Sequence, residues 1–211
     1  MKMEEVTKKP RKKSGRPLSF DREAALERAM LVFWRYGYEA ASLQELTSAM
    51  GITPPSLYAA FGDKEKLYLE AVERYSSQRC TTLHCLLDEA PTARDAIERL
   101  LQSSAVEMTC PSHPPGCLIA TSATNCSASA SHVQEAVSER RDDVETIIRE
   151  RIEKAIGDGE LPVGTNACVL AGFYSTVMQG MSSQARDTGG NRDRLLAIAS
   201  AAMQAWPVRI N

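Results

Sequence analysis

The 211-residue chain carries 25 Lys and Arg against 27 Asp and Glu, and its apolar fraction of 43% is sufficient for a hydrophobic core. It contains no run of 18 apolar residues, and its lysine-rich start lacks the apolar stretch of a signal peptide, so we expect no membrane partner and a cytoplasmic location. The charge is unevenly divided, with 12 Lys and Arg against 9 Asp and Glu in residues 1–66 but 13 against 18 in residues 67–211, which predicts an anion-binding front end on an acidic body.

The first 19 residues are basic and have no apolar periodicity, so we expect a flexible arm over residues 1–19. The pattern changes at Phe20. From there apolar and small residues recur at helical spacing, with Asp21 near the start of the helix and Gly37 at its end. The residues that carry this spacing are Leu26, Ala29, Met30, Phe33 and Gly37.

Two short helices are predicted next. Ser42 and Glu45 have the spacing of a capping box at the start of SLQELTSAM, and Gly51 ends that segment. The consecutive prolines of TPPSLYAAF suit the first turn of a helix, where a missing N–H has no partner to lose, so we predict a helix from Pro54 to about Gly62 with Thr53 as its N-cap. Two short helices joined at a glycine are typical of a helix-turn-helix unit.

The remainder of the chain is also helical in pattern. A connecting helix is predicted to about Leu87, and the body that follows shows helices near 92–108 and 131–156, a weaker piece in CLIATSATNC, and two regular final helices. Since no strand alternation competes, we predict an all-α protein of about nine helices. The expected domains are a three-helix helix-turn-helix domain (residues 20–66), a connecting helix (67–87), and a ligand-sensing and dimerisation domain (88–206).

The first of the two final helices is apolar on two sides. One stripe runs through Leu170, Tyr174 and Met178, and a second edge runs through Phe173 and Val177. One side can face the protein's own core, and a second copy of the chain would cover the other by two-fold symmetry. The residues predicted for dimerisation are Leu170, Met181, Leu195, Ile198, Ala202 and Trp206.

The front end has the features of a double-stranded DNA reader. The basic arm and Lys64 lie at opposite ends of the helix-turn-helix, where phosphates run on either side of a helix placed in the major groove. The small, lightly polar outer face of the second short helix suits apolar contact with base edges more than a dense hydrogen-bond code. The predicted DNA-binding residues are Arg16, Ser42, Thr53, Pro54, Pro55, Ser56, Tyr58, Ala59 and Lys64.

The run from Gly15 to Val72 resembles the DNA-binding domain of the TetR/AcrR family of transcriptional repressors. The residues that match its pattern are Gly51, Ile52, Thr53, Leu57, Tyr58, Phe61, Lys64 and Leu67. The resemblance implies a homodimer on a palindromic operator that a small-molecule inducer releases, and it implies phosphate contacts from Ser42, Thr53, Tyr58 and Lys64. Ala59 and Ala60 stand where the family often has a second tyrosine and a histidine, so this chain lacks those contacts.

No nucleophile elbow, metalloprotease or phosphate-loop motif occurs, so we predict neither an enzyme nor a cofactor. The alternative from another class is an all-helical enzyme or scaffold with an incidental helix-turn-helix. For the signal, an apolar cavity for a small organic molecule is the leading interpretation. The residues predicted for ligand binding are Met108, Cys110, Cys117, Leu118, Phe173, Tyr174, Val177 and Met178.

Cysteine chemistry offers two alternative sensors. Cys110 and Cys117 flank a loop with His113, and a neighbouring histidine can lower a thiol pKa, which would suit a sensor of oxidants or electrophiles. The same three residues, with Cys126, have ligand types suited to a metal, but their spacing is not that of a standard zinc site and two prolines interrupt it. Cys80, His84 and Cys85 form a similar, equally weak cluster, so we predict no metal site.

Overall fold

The computed structural model describes residues 20–122, 126–187 and 189–208, except for the side chain of Ser129. Within these ranges the chain is all-α, as predicted, with nine α-helices and no strand. The basic arm, including Arg16, lies outside the described residues. The helices are α1 (Arg22–Ala40), α2 (Leu43–Met50), α3 (Pro54–Phe61), α4 (Lys64–Asp88), α5 (Ala93–Glu107), α6 (Leu118–Thr121), α7 (Ser131–Gly157), α8 (Ala167–Asp187) and α9 (Arg192–Ala202), with single 3₁₀ turns at Ala128–Ala130 and Met203–Ala205. None of the described helices has the length and apolar character needed to cross a membrane.

Helix starts and ends follow the local sequence. Asp21 accepts hydrogen bonds from the first N–H groups of α1, and Ser42 and Glu45 form the predicted capping box of α2. Gly51 ends α2 in the left-handed conformation (φ 69°). Pro54 is the first residue of α3, as its fixed φ suggested, but the hydroxyl of Thr53 forms no cap.

The first helix differs from its predicted end. Gly37 interrupts α1 with φ 79° and ψ 174°, and the helix then resumes to Ala40. A Cβ at Gly37 would lie 3.1 Å from the carbonyl oxygen of Ser122, just after α6. Glycine is therefore needed here both for its conformation and for the close approach of a distant segment.

Two hydrophobic clusters fill the molecule. The front cluster contains Phe33, Leu57 and Tyr68 from α1, α3 and α4, and it also contains Leu118 of α6 and Val133 of α7. The rear cluster is built from α5, α7, α8 and α9 and from the second half of α4. The front core thus takes residues from sequence positions well beyond the helix-turn-helix.

The segment around α6 joins the two clusters. The backbone N–H of Tyr38 donates to the carbonyl oxygen of Ser122 at 3.0 Å, and the hydroxyls of Tyr68 and Ser122 hydrogen-bond at 2.6 Å. Arg186 of α8 donates to the carbonyl oxygen of Trp34 and to the hydroxyl of Thr121, both at 3.0 Å. The front of the molecule is therefore hydrogen-bonded to the α6 segment and, through Arg186, directly to α8.

We expect Tyr68→Phe to lower the free energy of unfolding by about 1–2 kcal/mol, because it leaves the buried Ser122 hydroxyl without its partner. Burial raises the pKa of Tyr68 to about 12, so the lost group is a neutral hydroxyl across the usual pH range. Urea unfolding measures the change. Tyr36→Phe is the matched control, because that tyrosine is exposed, and an unchanged stability for Tyr68→Phe would contradict the role of this bond.

Candidate nucleic-acid interface and ligand cavity

Helix α3 has one buried side and one open side. Leu57 and Phe61 are buried in the front core, whereas the face opposite them is open, and Tyr58 is 48% exposed. Ser56 is partly buried, and its hydroxyl is 2.9 Å from that of Thr53. Because two hydroxyls share one hydrogen bond, this pair retains one proton to donate elsewhere. The exposed residues predicted for DNA contact on and beside α3 are Thr53, Pro54, Pro55, Tyr58 and Ala59.

Arg22 holds α3 from behind. Its guanidinium lies 4.3 Å from the centroid of the Phe61 ring and donates to the carbonyl oxygen of Ala60. It also forms two bonds, of 2.5 and 2.7 Å, to the carboxylate of Glu70 on α4, and the hydrogen bond to Glu70 raises the pKa of Arg22. One arginine therefore ties a two-turn helix to α1 and α4. The sequence analysis missed it, although an arginine in the first turn of a helix opposes the helix dipole and is a signal of a specific partner.

Two of the predicted phosphate ligands are already engaged. The hydroxyl of Ser42 donates to the Glu45 carboxylate at 2.7 Å, so its proton is used in the capping box. The ammonium of Lys64 donates to the carbonyl oxygen of Glu39 at 3.2 Å and lies 4.8 Å from the centroid of the Tyr38 ring, and its burial lowers the pKa of Lys64. Lys64 keeps two further donors, whereas Ser42 has no spare hydroxyl proton in this arrangement.

A cavity of about 90 Å³ lies among α4, α5, α6, α7 and α8. Of the eight residues predicted for ligand binding, Met108, Cys117 and Met178 line it. Its wall also holds Arg79, Arg140 and Arg141 and the hydroxyls of Ser76 and Ser104. The polar part of the wall was not predicted, because its members come from separate helices and share no sequence motif.

The other five residues predicted for ligand binding do not line this cavity. Leu118 and Tyr174 are fully buried in the front and rear cores, respectively. Val177 packs against the rear core, Phe173 is 39% exposed on the outside of α8, and Cys110 lies in the loop between α5 and α6. The rings of the adjacent residues Phe173 and Tyr174 meet edge to face, with centroids 5.1 Å apart, but only Tyr174 is buried.

The cysteines do not form the arrangement expected for a metal. All six are free thiols, and no group of three His, Cys, Asp or Glu suitable for a metal occurs in the part of the chain that the structure describes. The pKa of Cys110 is lowered, but by hydrogen bonding to Ser112 and not by His113. His113 instead stacks on Trp34, with ring centroids 4.3 Å apart, and its Nδ1 lies 2.9 Å from the Pro114 carbonyl oxygen.

The residues predicted for dimerisation face mainly inward in this chain. Leu170, Met181, Leu195, Ala202 and Trp206 are buried in the rear core of their own chain, and Ile198 packs against it partly buried. The exposed side of α8 is its second apolar edge, where Val169 is 68% exposed and Gly180 has open space around it. Packing of α8 on α5, α7 and α9 decides which of the two edges is covered.

Comparison with known proteins shows which families and which individual proteins this chain is similar to. The family described as "Bacterial regulatory proteins, tetR family" matches residues 25–71, and the family described as "Tetracyclin repressor-like, C-terminal domain" matches residues 93–203. The HTH-type transcriptional repressor ComR of Escherichia coli K12 is 32% identical over 201 residues, which cover 93% of this chain and 94% of ComR. The repressor BdcR of the same organism is 29% identical over 200 residues, covering 95% of this chain and 96% of BdcR.

A solved structure of a cysteine mutant of the TetR family transcriptional regulator CifR, complexed with 26-base-pair operator DNA, is 45% identical to this chain. The match has a TM-score of 0.88 and covers 91% of this chain and all of that one. Regulators of this family are DNA-binding transcription factors and not enzymes. The chain belongs to the TetR family of bacterial transcriptional regulators.

Proposed function

We propose that the protein is a ligand-responsive repressor that binds a palindromic operator as a homodimer and leaves it when a small molecule binds. The observation that carries the proposal is the exposed outer face of α3, held from behind by Leu57, Phe61 and Arg22. The operator-bound structure of the 45% identical CifR mutant supports it. A bacterial repressor must reach the chromosome to bind its operator, so we propose a cytoplasmic location.

The DNA contacts divide by chemistry. Pro55 and Ala59 have no hydrogen-bonding side chain and suit apolar contact with thymine methyl groups, so DNA shape contributes to recognition. Tyr58, the remaining hydroxyl proton of the Thr53 and Ser56 pair, and the free donors of Lys64 suit phosphate oxygens. The arm that carries Arg16 extends the contact to further phosphates, and residues 20–66 form the DNA-binding domain.

The homodimer follows from the open edge of α8. Val169, Phe173 and Gly180 present an apolar and small surface on the outside of a helix whose opposite side is buried. A second copy related by a two-fold axis would cover this edge with the same residues. The two α3 helices would then be presented to the two halves of a palindromic operator. Residues 88–206 thus form the sensing and dimerisation domain, joined to the reader by residues 67–87.

The contacts of α6 support communication between the cavity and the DNA-binding domain. Cys117 and Ile119 line the cavity. Three residues beyond Ile119, Ser122 hydrogen-bonds to Tyr38 at the end of α1 and to Tyr68 on α4. A ligand that displaces the α6 segment would change these contacts and, in a dimer, the separation of the two α3 helices. The ligand can shift the protein from its operator-binding state to its released state only by as much as it binds the released state more tightly.

We expect Lys64→Ala to weaken operator binding several-fold and to flatten the dependence of log affinity on log salt by about one unit, because one phosphate contact is lost. Genomic footprinting identifies the operator, and fluorescence anisotropy measures affinity at several salt concentrations. Lys154→Ala is the matched control, since Lys154 is exposed at the far end of α7.

Thermal unfolding of Lys64→Ala checks that losing the bond to Glu39 has not unfolded the domain. A folded variant with unchanged affinity and salt slope would remove Lys64 from the interface. A protein that retards random DNA as well as footprinted DNA would instead support the alternative of a scaffold or enzyme with an incidental helix-turn-helix.

We expect Phe173→Arg to shift the protein from dimer to monomer, because it places a charge in the proposed apolar interface. Light scattering after size-exclusion chromatography measures the mass. Val106→Arg is the control, since Val106 is a similarly exposed apolar residue on α5, away from this edge. A Phe173→Arg protein that remains dimeric would show that another surface forms the dimer.

A thiol response is the second candidate for the signal, and one observation favours it. Cys110 is partly exposed, and hydrogen bonding to Ser112 lowers its pKa. A lower pKa gives more thiolate, the reactive form, at neutral pH. Cys80 contrasts with it, because burial raises the pKa of that thiol.

We expect iodoacetamide to alkylate Cys110 faster than Cys80 at pH 7, and the Cys110 rate to reach its plateau at a lower pH. The reason is the opposite direction of the two pKa shifts. Peptide mass spectrometry at timed intervals measures both sites in the same sample. Equal rates at the two sites would count against a thiol sensor at Cys110, and operator binding that survives full alkylation would exclude it as the signal.

A further inference from the structure

We propose that the cavity among α4 to α8 takes a compact organic acid, with a carboxylate bound by Arg141 and a small apolar body against the aliphatic wall. The inference rests on the proposed function, because it names the chemical class of the inducer. It goes beyond that function in assigning the charge, the size and the anchoring residue of the ligand.

The charged residues of the cavity wall favour an anionic ligand. Arg79, Arg140 and Arg141 line it, and none of the lining residues is Asp, Glu or Lys. Two of these arginines have acidic neighbours outside the wall: Arg140 pairs with Glu73 and Asp143, and Arg79 lies 4.0 Å from Glu107. The wall therefore presents guanidinium groups to whatever occupies the cavity.

Arg141 is the least neutralised of the three. Its Nη1 donates to the carbonyl oxygen of Ile119 at 3.0 Å, and no carboxylate of the described residues lies within ion-pair distance of it. A guanidinium offers five donors in a planar fork that matches a carboxylate. A bound carboxylate would supply the charge partner that the described residues do not.

Two buried hydroxyls give an independent sign of a missing polar ligand. Ser104 is fully buried and Ser76 is 8% exposed, both line the cavity, and their hydroxyl oxygens have no hydrogen-bond partner among the described residues. Buried polar groups in folded proteins are nearly always paired. Oxygen atoms of a ligand that accept from Arg141 can also accept from these hydroxyls, since a carboxylate has about four lone-pair sites.

The size and the remaining wall define the body of the ligand. The cavity measures about 90 Å³, smaller than the roughly 150 Å³ apolar cavity that admits benzene, so a ligand with fewer non-hydrogen atoms than benzene fills it. Leu83, Leu100, Met108 and Met178 provide apolar contact. A short carboxylate such as propionate meets both conditions, with its carboxylate on the polar side and its ethyl group on the apolar side.

Arg141, the proposed anchor of the ligand, also connects the cavity to the DNA-binding domain. Arg141 holds the Ile119 carbonyl oxygen of α6, and the same segment is bonded through Ser122 to Tyr38. A carboxylate that competes for Arg141 weakens its hold on α6. Binding at this site is thereby coupled to the contacts that position α1.

The experiment uses the full-length protein and matched ligands. Calorimetric titration with propionate, isobutyrate, 3-methylbutyrate and benzoate is compared with the corresponding neutral amides, and operator anisotropy is followed in parallel. At least one acid is expected to bind ten-fold or more tightly than its amide and to release the operator. Equal binding of acid and amide, or no binding of any acid at millimolar concentration, would overturn the proposal.

Variants locate the site. Arg141→Gln is expected to lose ten-fold or more in affinity for the acid and Ser104→Ala to lose less, whereas Arg99→Gln, an exposed arginine on α5, keeps wild-type affinity. Arg141→Lys is the second variant should Arg141→Gln not fold, and we expect it to retain part of the binding. A folded Arg141→Gln or Arg141→Lys protein that binds the acid at wild-type affinity would show that Arg141 is not the anchor.

The outcome separates this inference from the proposed function. Operator binding by the ligand-free protein tests the regulator itself. If the operator is bound and no acid acts, the organic-acid site is wrong and the repressor stands, whereas loss of specific operator binding removes the proposed function.

Discussion

The packing of the α6 segment between the two cores is the constraint on which the rest of the structure depends. Leu118 fills the front core, and Ser122 bonds to Tyr38 and Tyr68 with its backbone and side chain. Gly37 is required because a side chain there would press on the Ser122 carbonyl group. The break in α1, the start of α4 and the cavity wall all contact this segment. Its position therefore determines all three.

The DNA-reading helix shows how tertiary contacts replace intrinsic stability. Eight residues form too short a helix to persist alone. Leu57 and Phe61 anchor α3 by burial, and Arg22 adds a cation–π contact and a bidentate ion pair to Glu70. The residues on the outer face of α3 are not needed to stabilise the fold. They can therefore vary with the DNA sequence that is recognised.

In the rear of the molecule, the two apolar sides of α8 have different surroundings, which the sequence alone did not distinguish. The inner stripe of α8 makes the core, whereas its outer edge is open to a second copy of the chain. The apolar residues predicted from the sequence form only part of the cavity wall, and its polar groups come from α4, α5, α7 and α8. The proposed ligand cavity and the proposed dimer edge thus lie on different sides of α8.

The sequence by itself determined the helical class, the helix-turn-helix and most helix ends, because caps, prolines and apolar spacing act over a few residues. Only the tertiary structure decided which edge of α8 is buried, that Phe173 faces outward, and that Arg141 and Ser104 line one cavity. Such choices depend on how distant helices pack. Local periodicity shows that a helix has two apolar sides but does not show which side meets the core.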